Sequence, residues 1–316
     1  MGVGGGVWVI APRTADVVPM AEWWSLKVCD GYPPLPVTYR TPKSSLEPPG
    51  LREAIAPTIA DLDQDGNVDY IVSHKADSVV RVWWGPLRTS RGWLEAHTDF
   101  SMGRARHAAT VGDADGDGHL DLILTLEERG GIAIQRMVKR TTAGSVVIID
   151  EGNDPSRAEV LDWDRDGVPD LSFVMQAASA LIVRRGEGAL SFGPPLEVAL
   201  GVAGVLAVRG EELLNVEGAE IFERKVGSRM SRKLVHTPFT VVEGISSDSA
   251  RPLVVWGSLP LGRGAIQFNS DEPCRLPVEP HTGAAVAWLD DDATADYAFV
   301  RSCAYCTSSY EIQTSR

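Results

Sequence analysis

The sequence predicts an all-β protein, a β-propeller of six or seven four-stranded blades, from three observations. Turn-forming residues are abundant, with 31 glycines and 20 prolines among 316 residues, a composition typical of turn-rich β proteins. Short apolar runs such as Val146–Ile149 and Tyr297–Val300 recur between turn residues, which is the pattern of strands. An acidic motif also recurs about every 50 residues, and repeats of that length with several strands each indicate propeller blades.

The acidic motif is DxDxDGxxD, and three complete copies occupy residues 61–69, 113–121 and 162–170. Each copy is preceded and followed by a short apolar segment that reads as a strand. A decayed copy at 288–296 has Trp288 in place of the first acid and Ala293 in place of the glycine. Two fainter units, Val205–Val216 and Gly244–Val255, keep the strands but not the full acidic loop.

These six units cover roughly residues 55–316 in steps of about 40 to 52 residues. We therefore expect residues 1–316 to form a single propeller domain. Its recognisable repeats would span residues 55–316, and residues 1–54 would supply a closing strand and a degenerate blade. Because an open ring leaves unpaired sheet edges, we expect an N-terminal strand near Val7–Ala11 to pair within the blade that contains Trp288–Ile312.

The charge balance excludes some partners and favours others. The formal net charge is −13, which argues against nucleic acid, because binding its phosphates requires Lys and Arg. No apolar run approaches the roughly 20 residues of a transmembrane helix, so we expect no membrane span. The acids are concentrated in the three loops, which makes cations the favoured partners.

The spacing of the motif matches the needs of a hard dication, which takes six to eight oxygen ligands. Alternate residues of a tight loop can direct side chains inward from positions 1, 3 and 5. Glycine at position 6 permits a backbone conformation that other residues resist. The carbonyl at position 7 and the acid at position 9 would complete the shell. The expected ligands are Asp61, Asp63, Asp65, Asn67 (carbonyl) and Asp69; Asp113, Asp115, Asp117, His119 (carbonyl) and Asp121; and Asp162, Asp164, Asp166, Val168 (carbonyl) and Asp170.

Calcium is the expected ion, with about three ions per chain, one for each intact loop. An EF-hand shares the first half of this spacing but needs an acid at position 12 and helices on both sides. Position 12 is Val72, Leu124 or Phe173, and the flanks are strand-like. Magnesium is disfavoured because it usually keeps several waters. We expect the ions to tie strands together, and the decayed loop at 288–296 to bind weakly or not at all.

The loops between paired apolar strands resemble the FG-GAP/VCBS repeats of integrin-α-like propellers and of bacterial surface proteins. The similarity extends over residues 55–175 and 284–316. Ser73-His74-Lys75 and Thr125-Leu126-Glu127 stand where integrins have Gly-Ala-Pro, so the chain is more similar to the bacterial type. The resemblance implies a calcium-stabilised propeller, secreted or at the cell surface, that acts as an adhesion module for a protein or glycan ligand.

No HExxH, GxSxG or P-loop motif is present, and on that ground the sequence predicts that the chain is not an enzyme. The alternative is a carbohydrate-active enzyme, a polysaccharide lyase or hydrolase, because a site on a propeller can be assembled from distant blades. If the acidic loops all follow the innermost strand of their blades, the metal sites share one face and the opposite face is free for the ligand.

Three further features have alternative interpretations. The even set of cysteines favours structural disulfides in an oxidising exterior, although Cys303 and Cys306 could form a redox pair or half a zinc site. The pair Trp83-Trp84 would supply packing, or one ring could stack on a sugar. The basic segment 224–233 would be solvated, or would bind an acidic glycan or phosphate. The cysteines are Cys29, Cys274, Cys303 and Cys306. Residues 1–12 lack the features of a signal peptide, so export is an inference.

Overall fold

The structure is a computed structural model. It describes residues 7–10, 39–40, 53–55, 57–85, 88–89, 92–93, 97–128, 130–140, 142–152, 154–202, 206–237, 239, 241–245, 253–259, 263–268, 274–275, 282–287, 296–301 and 309–313. These residues form an all-β propeller with 27 strands and one short 3-10 turn, Gln176–Ala178. In this part of the chain no helix has the length and apolarity of a bilayer-crossing segment.

The chain begins with β1 (Val7–Ile10) and β2 (Tyr39–Arg40), which belong to the sheet that joins the two ends. The first blade contains β3 (Thr58–Ala60), β4 (Asp69–His74), β5 (Val79–Trp83) and β8 (His97–Ser101), and β6 (Arg88–Thr89) and β7 (Gly92–Trp93) form a small hairpin between β5 and β8. The second blade contains β9 (Thr110–Gly112), β10 (Asp121–Thr125), β11 (Gly131–Lys139) and β12 (Thr142–Asp150).

The third blade contains β13 (Glu159–Leu161), β14 (Asp170–Met175), β15 (Ala180–Gly188) and β16 (Ser191–Leu200). The fourth contains β17 (Leu206–Arg209), β18 (Glu212–Glu217), β19 (Glu220–Lys225) and β20 (Ser231–His236). The fifth contains β21 (Val241–Ile245), β22 (Val254–Leu259), β23 (Arg263–Phe268) and β24 (Cys274–Arg275). The closing sheet adds β25 (Thr282–Ala287), β26 (Asp296–Arg301) and β27 (Ser309–Gln313).

The expectation of six or seven four-stranded blades is wrong. The described residues form five four-stranded blades, and the sheet that joins the ends has five strands in the order β2-β1-β27-β26-β25. The repeat count treated the last unit as one more blade of the same kind. The ring does close through strands from both ends of the chain, but β2 pairs with β1, so the closing sheet has five strands and not four.

The two ends of the chain meet by main-chain pairing. β1 runs antiparallel to β27, with Trp8 opposite Ile312 and Ile10 opposite Tyr310. The other side of β1 pairs in parallel with β2. The expected pairing of an N-terminal strand with the last sheet is therefore confirmed, and it covers an edge of β27 that would otherwise be open.

Strand periodicity explains how the blades pack. Successive side chains of a strand point to opposite faces of its sheet. In β10, Leu122 and Leu124 pack in the cluster shared with the first blade, whereas Ile123 packs against the third blade. In β14, Phe173 faces the second blade and Val174 faces the fourth. These strands read as continuous apolar runs because both faces are buried between blades.

The innermost strands lie side by side around the ring. Contacts join β9 to β13, β13 to β17, β17 to β21, β21 to β25, and β25 to β3. Side-chain hydrogen bonds add a second link where the first three blades meet. The hydroxyl of Thr58 donates to the carbonyl of Ala109, and the hydroxyl of Thr110 donates to that of Ala158. Both threonines are buried, and they occupy equivalent places in successive blades.

Deletion of residues 1–10 should destabilise the protein, because it removes the three residues that pair with β27 and exposes a sheet edge. At about 1 kcal/mol for each backbone hydrogen bond lost, the cost is about 3 kcal/mol. For a domain of this size, that corresponds to a fall in melting temperature of about 6–12 °C. Deletion of residues 1–6 leaves β1 intact and is the matched control. Equal melting temperatures for the two deletions in a thermal scan would contradict ring closure through β1.

Candidate functional site: three acidic loops at one end of the ring

All three acidic loops occupy the same place in their blades. They join β3 to β4, β9 to β10, and β13 to β14, which are the innermost and second strands of each sheet. The innermost strands of successive blades run in the same direction, so these loops emerge at one end of the ring. The second and third loops also touch, since a Cβ on Gly116 would lie 3.4 Å from Cδ of Pro169. The fourth blade instead has a tight turn between β17 and β18, and residues 288–295 lie outside the described part of the chain.

The acid at position 9 is fully buried in each loop and fixes the loop to its blade. Both carboxylate oxygens of Asp69 accept backbone hydrogen bonds, from Leu62 N–H at 2.8 Å and from Gly85 N–H at 2.7 Å. The donors to Asp121 are Ala114 and Met137, and the donors to Asp170 are Trp163 and Gly186. In each case one donor lies in the loop, and the other follows or lies in the third strand. One carboxylate thus links three segments of the blade.

The acid at position 1 shapes the turn. Asp61 accepts hydrogen bonds from the backbone N–H groups of Asp65 and Gly66 at 3.0 and 2.9 Å. Asp113 and Asp162 accept the equivalent bonds in their loops. The glycine at position 6 has φ of +89° in Gly66, a left-handed conformation that glycine adopts without strain. This requirement accounts for the glycine of the motif.

The loops gather the acids at positions 1, 3 and 9. In each loop these three residues offer carboxylate oxygens that lie within 4.8 Å of one another: Asp61, Asp63 and Asp69; Asp113, Asp115 and Asp121; Asp162, Asp164 and Asp170. The acids at position 5 are not part of these clusters. Oδ1 of Asp65, Asp117 and Asp166 accepts a backbone hydrogen bond, from the N–H groups of Asn67, His119 and Val168 respectively. The side-chain contacts are therefore known for all the predicted carboxylate ligands, whereas metal coordination stays a prediction.

The donor chemistry of the clusters fits a hard cation. Every side-chain donor atom is a carboxylate oxygen, the ligand type that calcium prefers. In the first and third loops, Oδ1 of Asp63 and Oδ1 of Asp164 are buried and lack a hydrogen-bond partner. A buried polar atom without a partner is costly. A cation held among these oxygens would remove that cost.

Burial sets the protonation of the position-9 acids. It raises the pKa of Asp69 and of Asp121 to about 6, although the backbone hydrogen bonds to each carboxylate act in the opposite direction. Burial raises the pKa of Asp170 in the same way. Deprotonating these acids without a cation therefore costs more than it would in water.

Arginines at the third strands were missed by the sequence reasoning. Arg136 in β11 pairs with Asp115 and Asp117 of its own blade. Arg140, just after β11, pairs with Asp63 and Asp65 of the first blade, and Arg185 in β15 pairs with Asp164. Arg136 and Arg185 each follow the position-3 acid of their own loop by 21 residues, a recurrence that the sequence does contain. The equivalent position in the first blade is Trp84, and the arginine of that loop comes from the second blade, so only the structure reveals it.

Two binding interpretations of surface residues receive no support. Trp83 and Trp84 are both buried, at 4% and 6% exposure, so neither ring is open for stacking on a sugar. In the basic segment, Arg224 pairs with Glu217, Arg232 with Glu223, and Lys233 with Glu220. These three cations are neutralised within the fourth blade. Cys274 lies in β24, but no cysteine side chain falls within the described part, and the disulfides stay a prediction.

A second group of polar residues lies at the opposite end of the ring, where each chain segment enters an innermost strand. Glu159 begins β13, its side chain is only 10% exposed, and Arg157 Nε donates to its Oε1 at 3.1 Å. Burial raises the pKa of Glu159. His107 lies 3.4 Å from Gln176, Nε2 to Nε2, and burial followed by the charge of Arg106 lowers its pKa to about 4. The end without acidic loops thus holds a protonatable carboxyl and a neutral imidazole.

Comparisons with known proteins support the fold and part of the repeat assignment. A family model described as FG-GAP-like repeat matches residues 61–124, which include the first two acidic loops. A search of curated protein sequences finds no significant match. Neither comparison tests integrin-like partners.

Among solved structures, a luciferin-regenerating enzyme is similar at 12% identity and a TM-score of 0.50, over 84% of this chain and 92% of that one. A protein described as a candidate gluconolactonase gives 13% identity and a TM-score of 0.51, over 84% and 89%. A calcium-binding protein, regucalcin from Agrobacterium tumefaciens str. C58, gives 9% identity and a TM-score of 0.50, over 84% of this chain and 92% of that one. At such identities, the likeness shows the propeller fold alone.

The expectation that the chain is not an enzyme is wrong. It rested on the absence of short catalytic motifs, but a luciferin-regenerating enzyme has the same fold. The physical reason is that residues from different blades meet at the end of the ring. Residues that would act together therefore need no common spacing in the sequence.

Asp69 and Asp121 should make the chelated protein less stable as pH rises from about 4 to about 6. Their pKa is about 6 in the folded state, against 3.8 for an ordinary aspartate such as those of the unfolded chain. The folded state therefore binds more protons in this window, and its stability falls as the pH rises through it. Each contribution is fully present below pH 3.8 and is lost above pH 6. Melting temperatures measured across this range in chelator would report it.

The matched variant is Asp69→Asn combined with Asp121→Asn. It should be less stable at every pH, because an amide N–H₂ would face a backbone N–H donor. Its stability should nevertheless fall less than that of the wild type between pH 4 and 6, since two titrating groups are gone. Parallel curves for the two proteins would contradict the raised pKa values. The difference between the curves removes the effects of other carboxylates, which both proteins share.

Proposed function

We propose that the chain is a calcium-binding β-propeller whose three acidic loops hold structural calcium ions. The observation that carries this proposal is the triple recurrence of a carboxylate cluster, with a buried oxygen lacking a partner in two of the three. Asp61, Asp63 and Asp69 would hold the first ion, and their counterparts the other two. The acid at position 5 and the carbonyl at position 7 would complete each shell.

The ion would act through the links that the loops already make. The position-9 acid joins the loop to the region of the third strand, and the position-1 acid closes the turn. A cation bound to both would hold innermost, second and third strands in one arrangement. Its charge would also favour deprotonation of a carboxyl that burial alone keeps partly protonated. Calcium-rich surroundings outside the cell would fill such sites, which supports the proposal of a secreted or cell-surface protein.

We further propose that the end opposite the calcium loops is the functional end, and that it acts on a carbohydrate as a lyase or hydrolase. The supporting observation is Glu159, a buried carboxyl with a raised pKa beside Arg157. A carboxyl whose pKa is raised holds its proton to a higher pH than an exposed glutamate does, which suits a general acid. The neutral His107 could accept a proton or orient a hydroxyl. Binding of a protein or glycan without turnover is the second candidate, and it uses the same surface.

Calcium should stabilise the protein in proportion to the number of intact loops. At a calcium concentration 100 times the dissociation constant, each site adds about 2.7 kcal/mol to the free energy of unfolding. Metal analysis should find about three ions per chain. Asp69→Ala, Asp121→Ala and Asp170→Ala should each remove about one third of the difference in melting temperature between calcium and chelator. Using this difference cancels the metal-independent cost of the lost hydrogen bonds.

The matched control for the calcium variants is Asp150→Ala, which removes an exposed acid outside the loops and should leave the difference unchanged. A wild-type melting temperature that does not respond to chelator, in a protein without bound metal, would overturn the calcium proposal. The propeller itself would stand.

The enzymatic proposal is tested with a panel of polysaccharides and sugar lactones. Glu159→Gln should reduce turnover by at least about 100-fold, since a general acid typically contributes 10²–10⁴, with little change in melting temperature. Glu187→Gln, an exposed acid of β15, is the control and should retain activity. Full activity of Glu159→Gln would exclude Glu159 as the acid. Retention on a glycan array without turnover of any panel member would favour the binding module.

A further inference from the structure

Each acidic loop lies against an arginine. In the second loop, Arg136 Nε lies 2.5 Å from Oδ2 of Asp115, and its Nη2 lies 2.6 Å from Oδ2 of Asp117. In the first loop, Arg140 contacts the acids at the same two positions, Asp63 and Asp65. The guanidinium therefore bridges positions 3 and 5 in both loops, using the fork geometry that suits paired carboxylates.

The third loop differs. Arg185 reaches only position 3, with Nε 3.1 Å from Oδ2 of Asp164, and its side chain is 62% exposed. Asp166 at position 5 accepts a backbone N–H like its counterparts in the other loops, but it pairs with no arginine of the described residues. The first and second loops thus each have two short arginine contacts, whereas the third loop, with the same acids, has one longer contact.

The two bridging arginines are partly exposed, at 44% for Arg136 and 40% for Arg140, and each has a neighbour that accommodates its side chain. A Cβ on Gly144 of β12 would lie 3.2 Å from Cβ of Arg136, so the glycine leaves room for that side chain. The guanidinium of Arg140 lies 5.8 Å from the ring centre of Trp84, within reach of a cation–π contact. Arg140 comes from the second blade and the loop from the first, so this contact also spans two blades.

We propose that Arg136 and Arg140 lower the calcium affinity of the second and first loops, which leaves the third loop as the tightest site. The proposal rests on the calcium sites proposed above. The guanidinium and the ion need the same carboxylates at positions 3 and 5, so one must move or be repelled when the other binds. Because arginine stays charged at all physiological pH values, this competition does not depend on a protonation switch of the arginine.

Arginine also explains how the loops tolerate a metal-free state. Four acids in one loop repel one another, and a guanidinium across two of them reduces that repulsion. The first and second loops should therefore lose less order on chelation than the third. The same sequence motif would then give ions that exchange at different calcium concentrations.

The test is calcium titration calorimetry on the chelated full chain, with Arg136→Gln, Arg140→Gln and Arg185→Gln. The first two variants should each tighten one site by about tenfold, because a full charge within a few ångströms of a dication is removed. Arg185→Gln should change its site less than threefold. Arg104→Gln is the matched control: its side chain is 43% exposed, like the 44% of Arg136, and it pairs with Glu127 away from the loops. It should change affinity less than twofold.

A second variant assigns the effect to its loop. Asp121→Ala removes the second site, so adding Arg136→Gln to it should tighten no remaining site. If the wild type binds calcium with three equal affinities, or Arg136→Gln behaves like Arg104→Gln, the inference is overturned and the calcium proposal stands. Weaker binding in Arg136→Gln would also overturn it, because the arginine would then orient the acids for the ion. If no variant binds calcium, the calcium proposal itself fails.

Discussion

The buried carboxylate at position 9 is the constraint on which the three blades with complete acidic loops depend. Asp69, Asp121 and Asp170 are fully buried, and both oxygens of each accept backbone hydrogen bonds. A carboxylate buried in this way is tolerated only when its oxygens have partners. The partners come from the loop and from the region of the third strand, so the loop cannot move without breaking them. The innermost strand, the acidic loop and the third strand therefore act as one unit.

The fourth blade shows what replaces this arrangement. Its first two strands meet in a tight turn, and its buried charged side chains are Glu223 and Arg224. Arg224 donates to Asn215, to Glu217 and to the carbonyl of Arg229. Both arrangements satisfy buried charge with polar partners from neighbouring segments, but among the described loops only those of the first three blades gather carboxylates around one point. The end with the acidic loops is therefore charged unevenly around the ring.

The sequence predicted the parts of this protein that local spacing controls. The three DxDxDGxxD loops, their flanking strands and the glycine at position 6 all follow from distances of a few residues. The all-β class and the pairing of an N-terminal strand, β1, within the last sheet also agree with expectation. The number of four-stranded blades does not, because β2 adds a fifth strand to the closing sheet, which repeat counting treats as one more four-stranded blade.

Contacts between distant segments could not be predicted. Arg140 is 77 residues from Asp63, and no local pattern marks their meeting. Glu159 and His107 likewise come from different blades, and each looks unremarkable in its own segment. The prediction that the chain is not an enzyme was wrong for the same reason, since it rested on motifs that lie within one stretch of chain. Contacts that depend on how blades pack against one another can be identified only in the three-dimensional structure.

The pairing of β1 with β27 has a consequence for how the protein is made. Synthesis proceeds from the N-terminus at about 5–20 residues per second, so β27 is completed some tens of seconds after β1. During that interval β1 lacks the antiparallel partner it has in the finished ring, while the five four-stranded blades, which consist of neighbouring segments, can already form. Pairing between such distant segments is entropically slow. The last step of folding is therefore the joining of the two ends, and a chain released before residues 309–313 are made cannot take it.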